Sequence, residues 1–317
     1  MTRIRILFSV ALLCVGWGLG GMAEAATTVL DIAPGVGVIG AGGAGISLIS
    51  NAETLYYNAA GLARLPGISF TSFFSSYVGE ANYSALALTF RNVGIGALLL
   101  NSGSIQGYDE EGEPTELLGY SSSAYILGFG ISPSDFAFLR ALPSEMSFGV
   151  QLKAISSKIG EVSGSGFTLD LGFRTVFGAG GFGTLSISDV AVGLTAVNLF
   201  GSMSYDEVED DLVMDLRIGA SARFIERITV AVDVYLGGAV RAGISFSPVP
   251  TLALRLGVLS GSGTSFTAGL GVNIQGFLVD YAYVSHALGG SHRVSLTLDF
   301  SALNISALGS SLRRFLP

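Results

Sequence analysis

"TLALRLGVLS", residues 251–260, places Leu252, Leu254, Leu256 and Val258 at one parity and Arg255 at the other. Alternate side chains of an extended strand point to opposite faces, so this stretch has one wholly apolar face and one that holds a charge. "HRVSLTLDF" (292–300) repeats the pattern, with Val294, Leu296, Leu298 and Phe300 against Asp299. Such strands belong either to a sandwich with one wet face or to a barrel whose apolar face meets lipid.

Composition separates the two. Half of the 317 residues are hydrophobic, only 13% are charged, and mean hydropathy is +0.60, values that suit a membrane protein. After Ala25 no uninterrupted apolar run is long enough for a transmembrane helix. Helices and closed barrels are the two structures that satisfy every backbone polar group in lipid, which leaves the barrel.

Fourteen alternating segments follow from Ile68: 68–76, 82–90, 94–102, 124–132, 146–156, 167–176, 189–200, 214–224, 228–236, 240–248, 251–260, 265–274, 277–285 and 292–300. Each has the length to cross a bilayer at a tilt, and an even count suits a single-chain barrel with both ends periplasmic. A sandwich predicts the same alternation but neither strands of this length nor so few charges. Twelve strand charges share parity with Gly, Ser, Thr or Gln: Lys153, Asp170, Arg174, Asp215, Arg217, Arg223, Asp233, Arg241, Arg255, Asp280, Arg293 and Asp299. A midplane charge facing lipid costs about 2–4 kcal/mol, so these side chains are expected to line the lumen as a mixed-sign network.

The ends of the chain agree. Arg3 and Arg5, the apolar run Ile6–Gly18 and Ala23-Glu24-Ala25 have the layout of a secretory signal peptide, with the mature chain expected from Ala26. The one cysteine, Cys14, lies in the apolar run, so the expected mature chain has no disulfide and no Cys-ligated metal. The whole chain carries −8, and losing two arginines and one glutamate with residues 1–25 leaves −9, which argues against nucleic-acid binding. With the N-terminus periplasmic, the acidic stretches "GYDEEGEPTELLG" (107–119) and "GSMSYDEVEDD" (201–211) fall on the outer side as long, solvated loops without EF-hand spacing.

"GVGVIGAGGAG" (35–45) fits G-x-G-x-x-G at Gly35, Gly37 and Gly40. A dinucleotide grip needs a strand–turn–helix context, and the following "AGGAGISLIS" disfavours helix, so no cofactor is assigned. The glycines instead suit backbone threading closely past barrel-wall side chains. Ser50 and Glu53 have capping-box spacing, which predicts a short helical stretch from Ser50 to about Gly61. His286 and His292 are the only histidines, without a G-x-S-x-G elbow or a third ligand, so neither catalysis nor a metal site is assigned.

"GAGGAGISLISNAETLYYNAAGLARLPG" (40–67) resembles the N-terminal stretch of FadL-type outer-membrane transporters and, more closely, of the PorV/PorQ family. Tyr57-Asn58-Ala59-Ala60-Gly61-Leu62-Ala63 matches the family's motif, with Ala59 where proline is usual. "FLVDYAYVSHALGGSHRVSLTLDF" (277–300) is similar to its last hairpin. The resemblance implies an all-β, fourteen-stranded antiparallel transmembrane β-barrel with an N-terminal hatch segment inside the lumen. Its parts are a signal peptide (1–25), the hatch (26–67), the barrel (68–300) and a C-terminal tail (301–317). It implies an outer-membrane setting, insertion by the barrel-assembly machinery, and one of two roles. The first is a FadL-like passive channel for hydrophobic or amphiphilic molecules. The second is a PorV-like component that docks secreted proteins or secretion-system subunits.

For the first role, a fatty-acid-like ligand is expected between the hatch and the wall of strands two to four. Tyr56, Tyr57, Asn58, Gly61 and Leu62 are its candidate contacts, and Gly94, Gly96, Ala124 and Gly128 leave room in the wall. Arg217, Arg223, Arg241 or Arg255 is expected to attract its carboxylate. The tail, with Leu303, Leu308, Leu312 and Phe315, is open to two readings, a weak amphipathic face or disorder.

Overall fold

The computed structural model describes residues 28–302 except 78–80, 110, 179, 183–184, 206–207, 262 and 287–288. The signal peptide, Cys14 and the tail beyond Ala302 lie outside the described residues.

From Ile68 the alternating segments become fourteen long strands: β1 (Ile68–Tyr77), β2 (Ala81–Phe90), β3 (Val93–Tyr108), β4 (Pro114–Ile131), β5 (Met146–Ile159), β6 (Val162–Phe177), β7 (Leu185–Tyr205), β8 (Asp215–Phe224), β9 (Ile228–Tyr235), β10 (Val240–Val249), β11 (Leu252–Ser260), β12 (Thr264–Ile274), β13 (Phe277–His286) and β14 (Gly289–Asp299). Each pairs antiparallel with the next, and β14 returns to β1 with Ser69 opposite Asp299 and Phe73 opposite Ser295. The sheet is thus a closed barrel, which leaves its long strands no free edge within the ring. Two short strands, Gly180–Phe182 and Val208–Asp211, pair with the ends of β7 outside the ring.

Side-chain alternation divides the wall as the charge parity requires. Leu254 and Leu256 point outward at 42% and 61% exposure, whereas Asp280 and Arg293 point inward at 0% and 3%. Among the described residues no helix is long and apolar enough to cross a membrane. The buried core is therefore inside the ring: Val29, Val36, Ile39, Leu55 and Leu62 pack there with Phe73, Tyr83, Leu98, Ala124 and Ile126.

Strand length differs sharply around the ring. β3 to β7 run 14–21 residues, the other nine 8–11, so one side of the barrel stands higher than the rest. This corrects the expectation of long loops at 107–119 and 201–211. Gln106 faces Leu117, Tyr108 faces Pro114 and Tyr205 faces Val208, so both acidic stretches are mostly paired hairpin. Cross-strand backbone bonds hold them, and of their side chains Met203 alone joins the buried core among the described residues, which is why they carry no hydrophobic alternation. At the opposite end the connections are mostly short, as at 91–92, 250–251 and 275–276.

Candidate functional site

Residues 28–67 lie inside the ring. They form two short helices, α1 (Val36–Gly40) and α2 (Thr54–Tyr57), and a 3-10 turn, Ala59–Arg64. The segment meets the wall at a belt of inward glycines on nine strands, β3 to β8 and β10 to β12, and does so through backbone atoms on seven of them. A Cβ at Gly149 would overlap the backbone of Ala59 and Ala60, one at Gly243 the carbonyl of Ala41, and one at Gly257 the backbone of Gly42. Glycine is required at such positions because any side chain would push the segment off the wall.

Polar wall groups then hold the segment's backbone. Asp233 accepts the N–H groups of Gly45 (2.7 Å) and Ile46 (3.1 Å). Arg174 donates to the carbonyl of Ser47 at 2.7 Å, Arg293 to that of Ala33 at 2.7 Å, and Gln151 to that of Leu55. Asn58, from the segment, donates to Ile46 (2.9 Å) and to Phe173 of β6 (3.0 Å). These bonds satisfy backbone groups that a chain without regular secondary structure would otherwise bury unpaired.

The capping box expected at Ser50 and Glu53 does not form. Helix α2 begins only at Thr54, and the Glu53 carboxylate instead accepts Val36 N–H at 2.8 Å and those of Gly37 and Val38 at 3.4 Å. A tertiary partner outbids the local one because it offers three orphan donors at the start of α1. The glycine motif at 35–40 thus does open a helix and does hold an anion, but the anion is the protein's own carboxylate. Burial pushes the Glu53 carboxyl above its usual range and Asp280 adds to the shift, while the Val36 and Gly37 donors oppose it.

Above the segment, toward the long-hairpin end, lies a cavity of about 480 Å³. One wall is apolar, with Leu30, Ile32, Leu98 and Ile126; the floor is Ile39, Tyr56 and Tyr57. The facing wall is charged. Lys153 pairs with Asp170, and Arg217 with Asp215 at 2.6 Å. Tyr235 sits between Arg217 and Arg241, whose guanidinium carbons are each 4.6 Å from its ring centroid. Val197 and Asn198 complete this side where β7 bulges away from β6: Asn198 has φ +55°, and its N–H reaches Asp170 at 3.0 Å.

The expected lumen charges take several places. Lys153, Asp170, Asp215, Arg217, Arg241 and Arg293 line the cavity. Arg255 and Asp280 pair at 2.5 Å lower in the ring, near Gly37, while Asp233 and Arg174 hold the segment. Arg223 is half-exposed near the short-turn end, 3.1 Å from Asp189, and Asp299 at the end of β14 accepts the N–H of Ser301 at 3.0 Å.

The room expected against strands two to four is occupied. Leu55 fills the space over Gly94, Gly96 and Gly128, and Leu62, itself fully buried, packs beside it. Gly61 is buried under Thr54, and both ends of the Asn58 amide are bonded within the protein. Of the five expected contacts only Tyr56 and Tyr57 reach the cavity, and the Tyr57 hydroxyl is committed to the carbonyl of Pro34 at 2.6 Å. Tyr235 was missed by the sequence reading, although it shares parity with Asp233 at the end of its strand.

The sequence matches no protein-family model and no curated protein. Solved structures do match in fold. The toluene transporter TodX of P. putida aligns over 83% of this chain and 97% of its own, at 11% identity and a TM-score of 0.54. The toluene transporter TbuX of Ralstonia pickettii aligns over 84% and 97%, at 13% identity and 0.52. The monoaromatic hydrocarbon channel CymD aligns over 82% and 95%, at 11% identity and 0.51. At these identities the likeness is one of fold: this chain shares the barrel architecture of hydrocarbon transport channels.

Proposed function

We propose that this protein is an outer-membrane channel that takes up small amphiphilic molecules without an energy source, with residues 28–67 as its hatch. One observation carries the reading: the cavity sets an apolar wall against a charged one, directly above the segment that fills the barrel. Such a site holds a molecule with an apolar body and a polar group, which a uniformly polar pore would not retain. The fold shared with TodX and TbuX supports a transport role. In this reading the glycine contacts seat the segment against the wall, and passage requires it to shift. Uptake of a labelled amphiphile into cells expressing the protein tests this. Uptake equal to the empty-vector control, with the barrel folded and surface-exposed, refutes it.

A second reading keeps the resemblance to the PorV/PorQ family, with docking of secreted proteins or secretion-system subunits as the role. The raised side of the barrel favours it. The stretches 107–119 and 201–211 hold ten of the chain's 24 acidic residues and none of its 16 lysines and arginines. A rim of this kind suits a basic partner. Shortening both hairpins separates the readings, because uptake survives it and docking does not.

A further inference from the structure

We infer that the cavity is a binding site for a compact organic monoacid, with Arg241 as the residue that takes its carboxylate. The inference rests on the uptake reading for its context but concerns binding alone.

Four arginines were candidates for attracting an acid, and three are spoken for. Arg217 is paired with Asp215 at 2.6 Å, Arg223 with Asp189 at 3.1 Å and Arg255 with Asp280 at 2.5 Å. Arg241 has no carboxylate within ion-pair distance among the described residues, and its guanidinium lies over the ring of Tyr235. The register explains why. Asp233 lies directly opposite Arg241 on β9, but one of its oxygens holds Gly45 and Ile46 and the other points at Gly219. The carboxylate opposite Arg241 makes its hydrogen bonds to the segment and none to the guanidinium.

The guanidinium carbon of Arg241 lies 4.6 Å from the Tyr235 ring centroid, a contact that uses none of its N–H groups as hydrogen-bond donors, and a guanidinium matches a carboxylate bidentately. The same packing holds the side chain in place, so little entropy is lost on binding. Lys153, Arg217, Arg241 and Arg293 set against Asp31, Asp170 and Asp215 leave the lining one positive charge in excess, which matches a monoanion better than a phosphate dianion. The apolar body lies against Leu98 and Ile126. Its length is limited by the floor at Ile39 and Tyr57, beneath which the segment meets the wall backbone to backbone. A short or cyclic acid fits above the floor, whereas a long alkyl chain would leave its end in water at the open, long-hairpin side.

Equilibrium dialysis of the full chain in lipid nanodiscs tests the site without requiring transport. The probes are cyclohexanecarboxylate, its neutral analogue cyclohexylmethanol, and laurate. Saturable binding of cyclohexanecarboxylate is expected, at least about tenfold tighter than either other probe and reduced at least about tenfold by Arg241→Gln, with Arg241→Lys between. Heat-modifiable mobility on gels verifies that each variant is a folded barrel. Equal binding of acid and alcohol overturns the proposal, as does equal binding by the wild type and Arg241→Gln. Tighter laurate binding overturns the limit on length. Failed uptake with intact, Arg241-dependent binding refutes the channel and leaves the site standing.

Discussion

The carboxylate of Glu53 accepts the backbone N–H of Val36 at 2.8 Å, so helix α1 is closed at its N-terminus by a side chain seventeen residues further on. Burial and Asp280 raise the folded pKa of this carboxyl above its ordinary value. The folded state then holds the proton more tightly than the unfolded one. The resulting stability is fully present below the unfolded pKa and is lost as pH rises through the folded one. Exchange protection of the Val36 amide is expected to rise as pH falls through the folded-state pKa, which lies above the ordinary carboxylate value. Glu53→Gln should flatten that dependence and lower protection by about 1–3 kcal/mol, since its amide nitrogen faces donors. A steep dependence surviving in Glu53→Gln would refute the assignment.

Lys153 and Asp170 form an ion pair whose side chains are 8% and 7% exposed. Removing one partner strands the other charge. Asp170→Asn is expected to cost about 3–5 kcal/mol, and the double change Lys153→Met, Asp170→Leu to recover most of it. Unfolding midpoints of the refolded barrels in urea measure both.

Gly257 and Gly119 make a matched pair for testing how tightly the segment seats. A Cβ at Gly257 meets the backbone of Gly42, while one at Gly119 meets open space. Gly257→Ala should destabilise by about 1–3 kcal/mol through overpacking and raise single-channel conductance by displacing the segment. Gly119→Ala should do neither. Equal conductance of the two variants in planar bilayers would show that the segment does not plug the pore.

Leu254 and Arg255 are neighbours on β11 that face opposite ways. A cysteine at 254 is expected to react with a lipid-soluble maleimide in vesicles and a cysteine at 255 to be protected. Leu254→Arg should cost about 2–4 kcal/mol at this depth. Strong labelling at 255 with none at 254 would reverse the assignment of the two faces.

Particular residues show how much was legible. Arg255 among four branched neighbours was enough to place one face inside, because an unpaired charge in lipid is too costly for the reverse. The strand count followed from repeating that pattern. The upper parts of β3, β4 and β7 escaped notice, since 103–108, 114–121 and 201–205 pair chiefly through backbone and carry little apolar alternation. Glu53 was assigned to the wrong helix because Ser50 stands at the correct local spacing while Val36 is near only in space.

The sequence by itself determined the barrel and its fourteen strands, because period-two alternation and the cost of burying charge in lipid act on each strand separately. It also marked 35–45 as a stretch that packs closely, since glycine is the one residue that permits it. Only the tertiary structure decided which charges neutralise one another. Asp233 lies directly across from Arg241 yet serves Gly45 and Ile46, some 188 positions away. Leu55 fills the hollow that small wall residues had left in prospect for a ligand. Both outcomes depend on where an irregular segment of about forty residues comes to rest inside the ring. That position is set by the sum of many contacts around the wall, and no single stretch of chain encodes it.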